Sequence, residues 1–438
     1  MIPQDRFVIV AKVPDSNVDG LRSFLKTMTF PEQTGFADPA NPLVPFGEFE
    51  TIHFARFAVL ADNTLKDGEG YYPPSRFEEP TYLCFLVDCD GDADELLARI
   101  AHKADGLRKI FRYCEGFVET GDLLSWLRAH RVKPLASYVN WVGRTVVQAK
   151  EEARLHRLLR EALPEIDERD PQGILARLRQ SVGPAVSLTP TPPTPLAWRI
   201  RDLAHLLLPL LLPLLVAAIC LVLFPVITIV LLAIGTLLFV IALRWHEQTD
   251  PIIPQPYDPE KVTRLRKGED HDVTNQYTAM GSLKPGRFRL WTVLAITCLV
   301  GWLARHICTR GTLGRIGTIH SAHWVFIDRY RRGFFCTSYD GSHEAYMDDF
   351  INKIGFGLNL AFSGSVAYPT TDWLLAKGAW FEQNFKRWQR HHQIPTDVWY
   401  KAYPGLTARD LSRNSRIRNG FEKPHMSDDE IRRWLAEI

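Results

Sequence analysis

Between Leu203 and Leu243 the chain runs for 41 residues without a formally charged side chain, and His205 is the one ionisable imidazole in the run. A single straight helix of that length would reach roughly 60 Å, about twice the hydrocarbon core of a bilayer. Two crossings fit better. Pro225 divides the run into 22 and 18 residues. Proline removes a backbone donor and favours a break where the chain must reverse. Trp198, Arg199 and Arg201 precede the run, and Arg244, Trp245 and His246 follow it. Aromatic anchors and positive charge at both ends place both ends on the cytoplasmic side. The expected element is a transmembrane helical hairpin over 203–243, and the expected location is an integral membrane protein with both flanking regions cytoplasmic. The bland alternative is a wholly buried core hairpin.

A hairpin returns the chain to the side it left, so the regions on either side of it can pack together. They carry a repeat. "TIHFARFAVL" (Thr51–Leu60) matches "TIHSAHWVFI" (Thr318–Ile327). Around each lies the same order of patterns. In the first copy "RFVIVAKVP" (Arg6–Pro14), a helical spacing over Val18–Met28, the Thr51 segment, "TYLCFLVDCDG" (Thr81–Gly91), a helix opening with acids, and "PLASYVNWVG" (Pro134–Gly143) read as strand, helix, strand, strand, helix, strand. The second copy offers Asn275–Gly286, the apolar run 290–304, the Thr318 segment, Arg332–Ser342, a helix from His343, and Gly364–Pro369 as the fourth strand. Each copy continues into an amphipathic helix, expected at Thr145–Leu163 and at about Trp373–His392. The third strand ends in Asp-Gly both times, Asp90-Gly91 and Asp340-Gly341, a pair that accepts the positive φ of a tight turn. The run 290–304 is short for a spanning helix and long for a strand, which suggests a buried or membrane-surface helix.

The expected fold is therefore α+β, with two fused ferredoxin-like βαββαβ units and an inserted membrane hairpin. The expected divisions are an N-terminal unit 1–163, a Pro-rich linker 164–202 with "TPTPPTP", the hairpin 203–243, a return linker 244–274, a C-terminal unit 275–394, and an extension 395–438. In the extension Ser427 and Glu430 form a capping box. No secretory signal is expected from "MIPQDRFVIVAKVP". Charge is nearly balanced, 52 Lys+Arg against 50 Asp+Glu, which argues against nucleic acid as a partner. Seven cysteines without a C-x-x-C pair read as buried free thiols.

Two such units in one chain resemble the dimeric α+β barrel superfamily, which pairs two sheets face to face. Among its members the dye-decolorising peroxidases and chlorite dismutases are fused pairs that bind haem in the C-terminal unit through a histidine. The peroxidases add a distal G-x-x-D-G motif. Here the nearest string is "TSYDGS" (Thr337–Ser342), which has the Asp-Gly but Thr in place of the first Gly. The resemblance implies a haem-dependent, peroxidase-like oxidoreductase near the membrane. His320 or His323 would be the axial ligand to the metal, and Asp340, Arg305 and Arg315 the catalytic groups. Strand alternation puts Thr318, His320, Ala322, Trp324 and Phe326 on one face and His323, equivalent to Arg56, on the other. The competing reading is structural: both copies keep the histidine, His53 and His320, and both aspartates suit a turn or helix cap. The alternative function is a non-catalytic, membrane-tethered module that binds lipid or another apolar small molecule, or serves as a scaffold. The lipid bilayer and an apolar substrate are the expected partners, and a homo-oligomer is compatible with either reading.

Overall fold

The computed structural model describes residues 1–61, 64–71, 79–140, 142–309, 313 and 316–438. It is a mixed structure of helices and antiparallel sheets. The first half lays down β1 (Gln4–Val13), α1 (Asp15–Lys26), β2 (Ile52–Leu60), β3 (Thr81–Asp90), α2 (Ala93–Lys103), β4 (Ala136–Val139) and α3 (Val146–Ala162). Then come α4 (Pro171–Val182), α5 (Leu196–Leu223) and α6 (Pro225–Thr249). The second half supplies β5 (Thr274–Ser282), α7 (Arg287–His306), β6 (Ile319–Ile327), β7 (Arg332–Asp340), α8 (His343–Phe362), α9 (Glu382–His392), β8 (Gln393–Ile394), β9 (Val398–Lys401), α10 (Ala408–Glu422) and α11 (Asp428–Leu435). The Asp-Gly turns form as expected, with Gly91 and Gly341 at φ of 80° and 83°. Asp92 and Ser342 then cap α2 and α8 through their side chains.

The strand order is β1-β3-β2 in one half and β5-β7-β6 in the other. The outer strands are exchanged. β4 belongs to the first half yet pairs with β6, and β9 belongs to the second half yet pairs with β2. The stretch before each exchanged strand stays at home. Val10 donates to the His130 carbonyl and Val132 to the Val8 carbonyl, while β8 pairs with β5. One continuous segment, 130–139, thus joins the β1 edge to the β6 edge, and 393–401 joins the β5 edge to the β2 edge. The hydrogen-bonded circuit closes on itself, which leaves neither sheet with a long open edge.

Alternation along these strands sorts the apolar residues into layers. Val8, Val10, Ala58 and Leu86 of one sheet meet Met280, Val325, Phe334 and Cys336 of the other inside the circuit. The outward faces pack under helices: Phe7, Phe57 and Phe85 under α1 and α2, and Ala322, Trp324 and Tyr339 under α8 and α9. All seven cysteines are unpaired, but only Cys84, Cys89, Cys114 and Cys336 are buried as expected; Cys220 and Cys308 are half-buried and Cys298 is exposed, because they lie on or beside the apolar helices α5 and α7.

Several expectations change. The fourth strand of the second copy is not 364–369, which makes only a single bridge, Leu283 to Ser365. It is 393–401. α10 follows β9 as α3 follows β4, so the segment after 394 belongs with the second half. α9, within the expected 373–392 helix, instead covers the outer face of the second sheet. The linker 164–202 contains α4, which joins α3, α10 and α11 in a separate apolar cluster around Leu159, Leu178, Ile417 and Trp434. The Ser427–Glu430 capping box is present and seats α11 on that cluster.

The apolar run forms two helices, α5 and α6, broken at Phe224 with Pro225 opening the second. Among the described residues three helices, α5, α6 and α7, are long and apolar enough to cross a membrane. No residue of α5 is buried, and of α6 only Leu243 is.

α7 touches the feet of the hairpin at both of its own ends. Phe288 packs on Phe239 and His246 of α6, while Trp302 donates to the Leu206 carbonyl and Arg305 pairs with Asp202, both of α5. Its inner side lies on the sheet, with Gly301 so close to Ala136 that a Cβ there would sit 3.2 Å from it. Its outer side leaves Trp291, Ala295, Cys298 and Leu299 exposed.

Candidate functional site

The repeated histidines lie in β-bulges. Ile52 faces Cys89, and Phe54 already faces Asp88; Ile319 faces Tyr339, and Ser321 already faces Ser338. The extra residue is His53 in one copy and His320 in the other. A bulge reverses the alternation, so Ile319 and Ala322 share the helix-packed face. The expectation that His320 shares the face of Ala322, Trp324 and Phe326 is corrected by this extra residue: His320 lines the chamber at the end of the circuit with Ser321, His53 and Asp88.

Each bulged histidine meets the last residue of the third strand. His53 Nε2 lies 2.9 Å from Asp90 Oδ1, and His320 Nε2 lies 2.6 Å from Asp340 Oδ1. The other carboxylate oxygen accepts from the first amide of a helix: Val146 N donates to Asp90 Oδ2 at 2.8 Å, and Ala408 N to Asp340 Oδ2 at 2.7 Å. Those amides open α3 and α10, whose N-caps Thr145 and Thr407 both form capping boxes. The aspartates are therefore helix caps in effect, for the helix that follows the exchanged strand and not for the one that follows Asp-Gly. Each His–Asp pair is a clasp that fixes that helix to the end of the sheets.

The clasps are not identical. His53 bonds at both nitrogens, with Gln4 also 2.8 Å from Nε2 and the Tyr403 hydroxyl 3.2 Å from Nδ1. His320 has Thr274 at 3.4 Å on the nitrogen already shared with Asp340, and its ring packs edge-on against Phe54. Arg144, Glu152 and Tyr403 complete the chamber. Glu152 lies 3.0 Å from Arg144 Nε and 3.6 Å from Arg418, yet burial outweighs both cations and pushes its carboxyl up to about 7. The chamber holds about 30 Å³, room for roughly one water.

Within the circuit two further groups cross from sheet to sheet. Arg56, fully buried, donates to the Tyr277 and Thr337 carbonyls at 2.9 and 3.1 Å and to the Thr278 and Ser338 hydroxyls at 3.2 and 3.0 Å. His323 lies 3.0 Å from Asp88 and 3.1 Å from Ser137 Oγ. Burial alone would raise the Asp88 carboxyl, but the charge and hydrogen bond of His323, with Arg6 and Ser321, hold it at about 2.

The expected site residues thus separate. His320 and Asp340 come together. His323 is partnered with Asp88 inside the circuit. Arg305 lies on α7, where it pairs with Asp202 at 2.7 Å and packs against Trp198, so it is not part of the chamber. Arg315 lies outside the described residues. Haem does not fit the histidines as they stand. The Nε2 of each is held by a carboxylate, and the 30 Å³ chamber is far below the several hundred Å³ of a cofactor site.

A larger apolar cavity, about 100 Å³, lies on the outer face of the second sheet beneath α8 and α9. Trp324, Phe335, Met347, Phe362 and Trp388 wall it, and Val293 of α7 reaches its edge. Asp88, Arg144, Glu152 and this cavity are absent from the expected site. One signal for part of them was present: "NWVGRT" (Asn140–Thr145) and "AYPGLT" (Ala402–Thr407) share aromatic, Gly and Thr at the same spacing. Gly143 and Gly405 both take positive φ there.

No protein-family model, no curated protein and no solved structure matches the chain.

Proposed function

We propose that the chain is a membrane-tethered, non-catalytic module: a pseudo-dimeric α+β barrel of two ferredoxin-like units that takes an apolar ligand from, or holds it near, the bilayer. The observation that carries this reading is the aromatic cavity of about 100 Å³ beneath α8, bordered by the helix that touches the hairpin's feet. The clasps and the interior crossings support it differently. Their polar groups are spent on one another, and so they serve the scaffold.

The strand exchange supports one location for both units. β4 and β9 can pair as they do when 1–163 and 275–438 lie on the same side of the membrane, which a two-helix hairpin provides. α7 then does not span. Its ends meet α5 and α6 near the feet and not at the Phe224 turn, and its exposed Trp291, Ala295 and Leu299 suit a helix lying in the interface. The positively charged flanks set the cytoplasmic side.

Binding is tested with the full chain in detergent and xenon, followed by its NMR shift, an apolar probe small enough for a cavity of about 100 Å³. Ala322→Phe should fill the cavity and abolish saturable binding while the fold persists; saturable binding of equal strength in that variant refutes the cavity as the site. The oxidoreductase reading has its own test. If haem loading produces a Soret band that His320→Ala or His323→Ala removes, the chain is a haem protein and the scaffold role of those histidines is wrong. Alkaline carbonate should leave the protein in the membrane pellet.

A further inference from the structure

A second cavity, about 290 Å³, opens where the start of α7 meets the β6–β7 turn. Five basic residues wall it: Lys284, Arg287, Arg289, Arg329 and Arg331. No carboxylate lines it among the described residues. Asp250 reaches in from the foot of α6 to pair with Lys284 at 3.0 Å and with Arg289, so one negative charge answers two of the five positive ones. Arg287 and Arg329 are exposed and make no ion pair among the described residues. Leu283, Leu290 and Val293 give the rest of the wall an apolar part, beside Pro285, Gly286 and Tyr330. Leu283 and Val293 also border the aromatic cavity beneath α8.

Place and chemistry combine here. Like charges gathered round one space repel unless an anion answers them. The space sits beside the end of α6, where Phe288 packs on Phe239 and His246, and so at the depth where headgroups would lie if the hairpin spans. Arg329 holds a left-handed backbone conformation, φ 56°, between two neighbours that do the same, Asp328 at 53° and Tyr330 at 66°. For bulky side chains that conformation is strained, and three in succession fix the turn that presents Arg329 and Arg331.

We infer that this cavity binds the phosphate of an anionic phospholipid headgroup, with Leu290 and Val293 against the root of the acyl chains. Guanidinium groups bind phosphate oxygens in paired hydrogen bonds, which suits a site built mostly of arginine. The inference rests on the membrane reading above, because a free phosphate ion would satisfy the same cations but would leave the apolar wall unused.

The experiment titrates the full-length protein in detergent with dioctanoyl phosphatidylglycerol, dioctanoyl phosphatidylcholine and inorganic phosphate, following the thermal unfolding shift. Phosphatidylglycerol should bind saturably and tighter than the other two. Arg287→Gln with Arg329→Asn should weaken it about twenty-fivefold, taking roughly fivefold per arginine; Asn tolerates the left-handed backbone at 329. If that pair fails to fold, Arg287→Gln alone should weaken it about fivefold. Equal shifts with both lipids, or an unchanged shift in the variants, overturn the site. An inorganic phosphate shift as large as that of phosphatidylglycerol overturns the lipid as its source. Release of the protein by alkaline carbonate would overturn the membrane reading itself, and that result is separate because the titration is done in solution.

Discussion

Arg56 and His323 occupy equivalent positions in the two copies, and each crosses the interior to the equivalent position of the other copy. Arg56 reaches Ser338, and His323 reaches Asp88. The geometry is kept and the chemistry differs. The first crossing satisfies a buried cation with two carbonyls and two hydroxyls and no carboxylate. The second sets an imidazole against a carboxylate that its surroundings hold in the ionised form. A buried polar group needs a partner, and the two halves supply different ones: four neutral acceptors for Arg56, and the Asp88 carboxylate for His323, which burial pushes below the ordinary imidazole pKa. Between the two halves, where a group stands is kept more firmly than which group it is.

The largest effect is expected from breaking the first crossing. Arg56→Ala removes the donor that joins two carbonyls and two hydroxyls in the interior, of which Thr278 keeps its bond to Thr396, and should cost on the order of 4 kcal/mol, read as a large fall in the chemical-denaturation midpoint. Arg56→Lys should recover little, since one ammonium cannot reach both pairs of acceptors. The second crossing is next. Asp88→Ser should cost about 3 kcal/mol because His323 loses its acceptor. Adding His323→Arg to Asp88→Ser copies the first crossing into the second and should recover part of that loss. No coupling between the two substitutions in a double-mutant cycle would mean that the positions are not equivalent.

The clasps offer a finer contrast. His53→Ala removes bonds to Asp90, Gln4 and Tyr403, whereas His320→Ala removes those to Asp340 and Thr274. The first should destabilise by about 2 kcal/mol and the second by about 1 kcal/mol. Amide exchange at the starts of α3 and α10 respectively should rise.

The smallest effect concerns pH. Burial raises the Glu152 carboxyl to about 7 from an ordinary 4.5, so the folded protein binds this proton more tightly than the unfolded chain. Its contribution is therefore present at low pH and lost as pH rises through about 7. Relative to the parent protein, Glu152→Gln should gain a few degrees in Tm between pH 5 and pH 8. A difference that does not change over this range would place the carboxyl at its ordinary value.

Local patterns made much of this architecture readable. The uncharged run and Pro225 located the hairpin and its break, and Asp90-Gly91 and Asp340-Gly341 located two equivalent turns. What alternation could not show was the bulge, because one extra residue at His53 or His320 leaves no compositional trace. It also could not show the exchange. "PLASYVNWVG" reads as a strand whichever sheet it joins, and choosing β6 over β1 is a long-range decision. The short strand at 398–401 leaves little trace because its four residues carry no clear alternation, whereas 364–369 has a strand-like pattern and forms only a single bridge. His320 and Asp340 stand in one expected site as alternatives and companions around a cofactor, whereas the structure sets them 2.6 Å apart in a clasp, and the amide of Ala408 that turns Asp340 into a cap lies 68 residues away.

The central claim is that the halves exchange strands on one side of the membrane. Val139 of β4 and Ser321 of β6 are register partners across that exchange. In intact membranes under mild oxidation, Val139→Cys with Ser321→Cys should form a disulfide identifiable by peptide mass mapping. Val139→Cys with Ser338→Cys should not, because β7 lies one strand further and about 10 Å from β4. A bond in the second pair and none in the first, or none in either, would contradict the exchange and the shared compartment it requires.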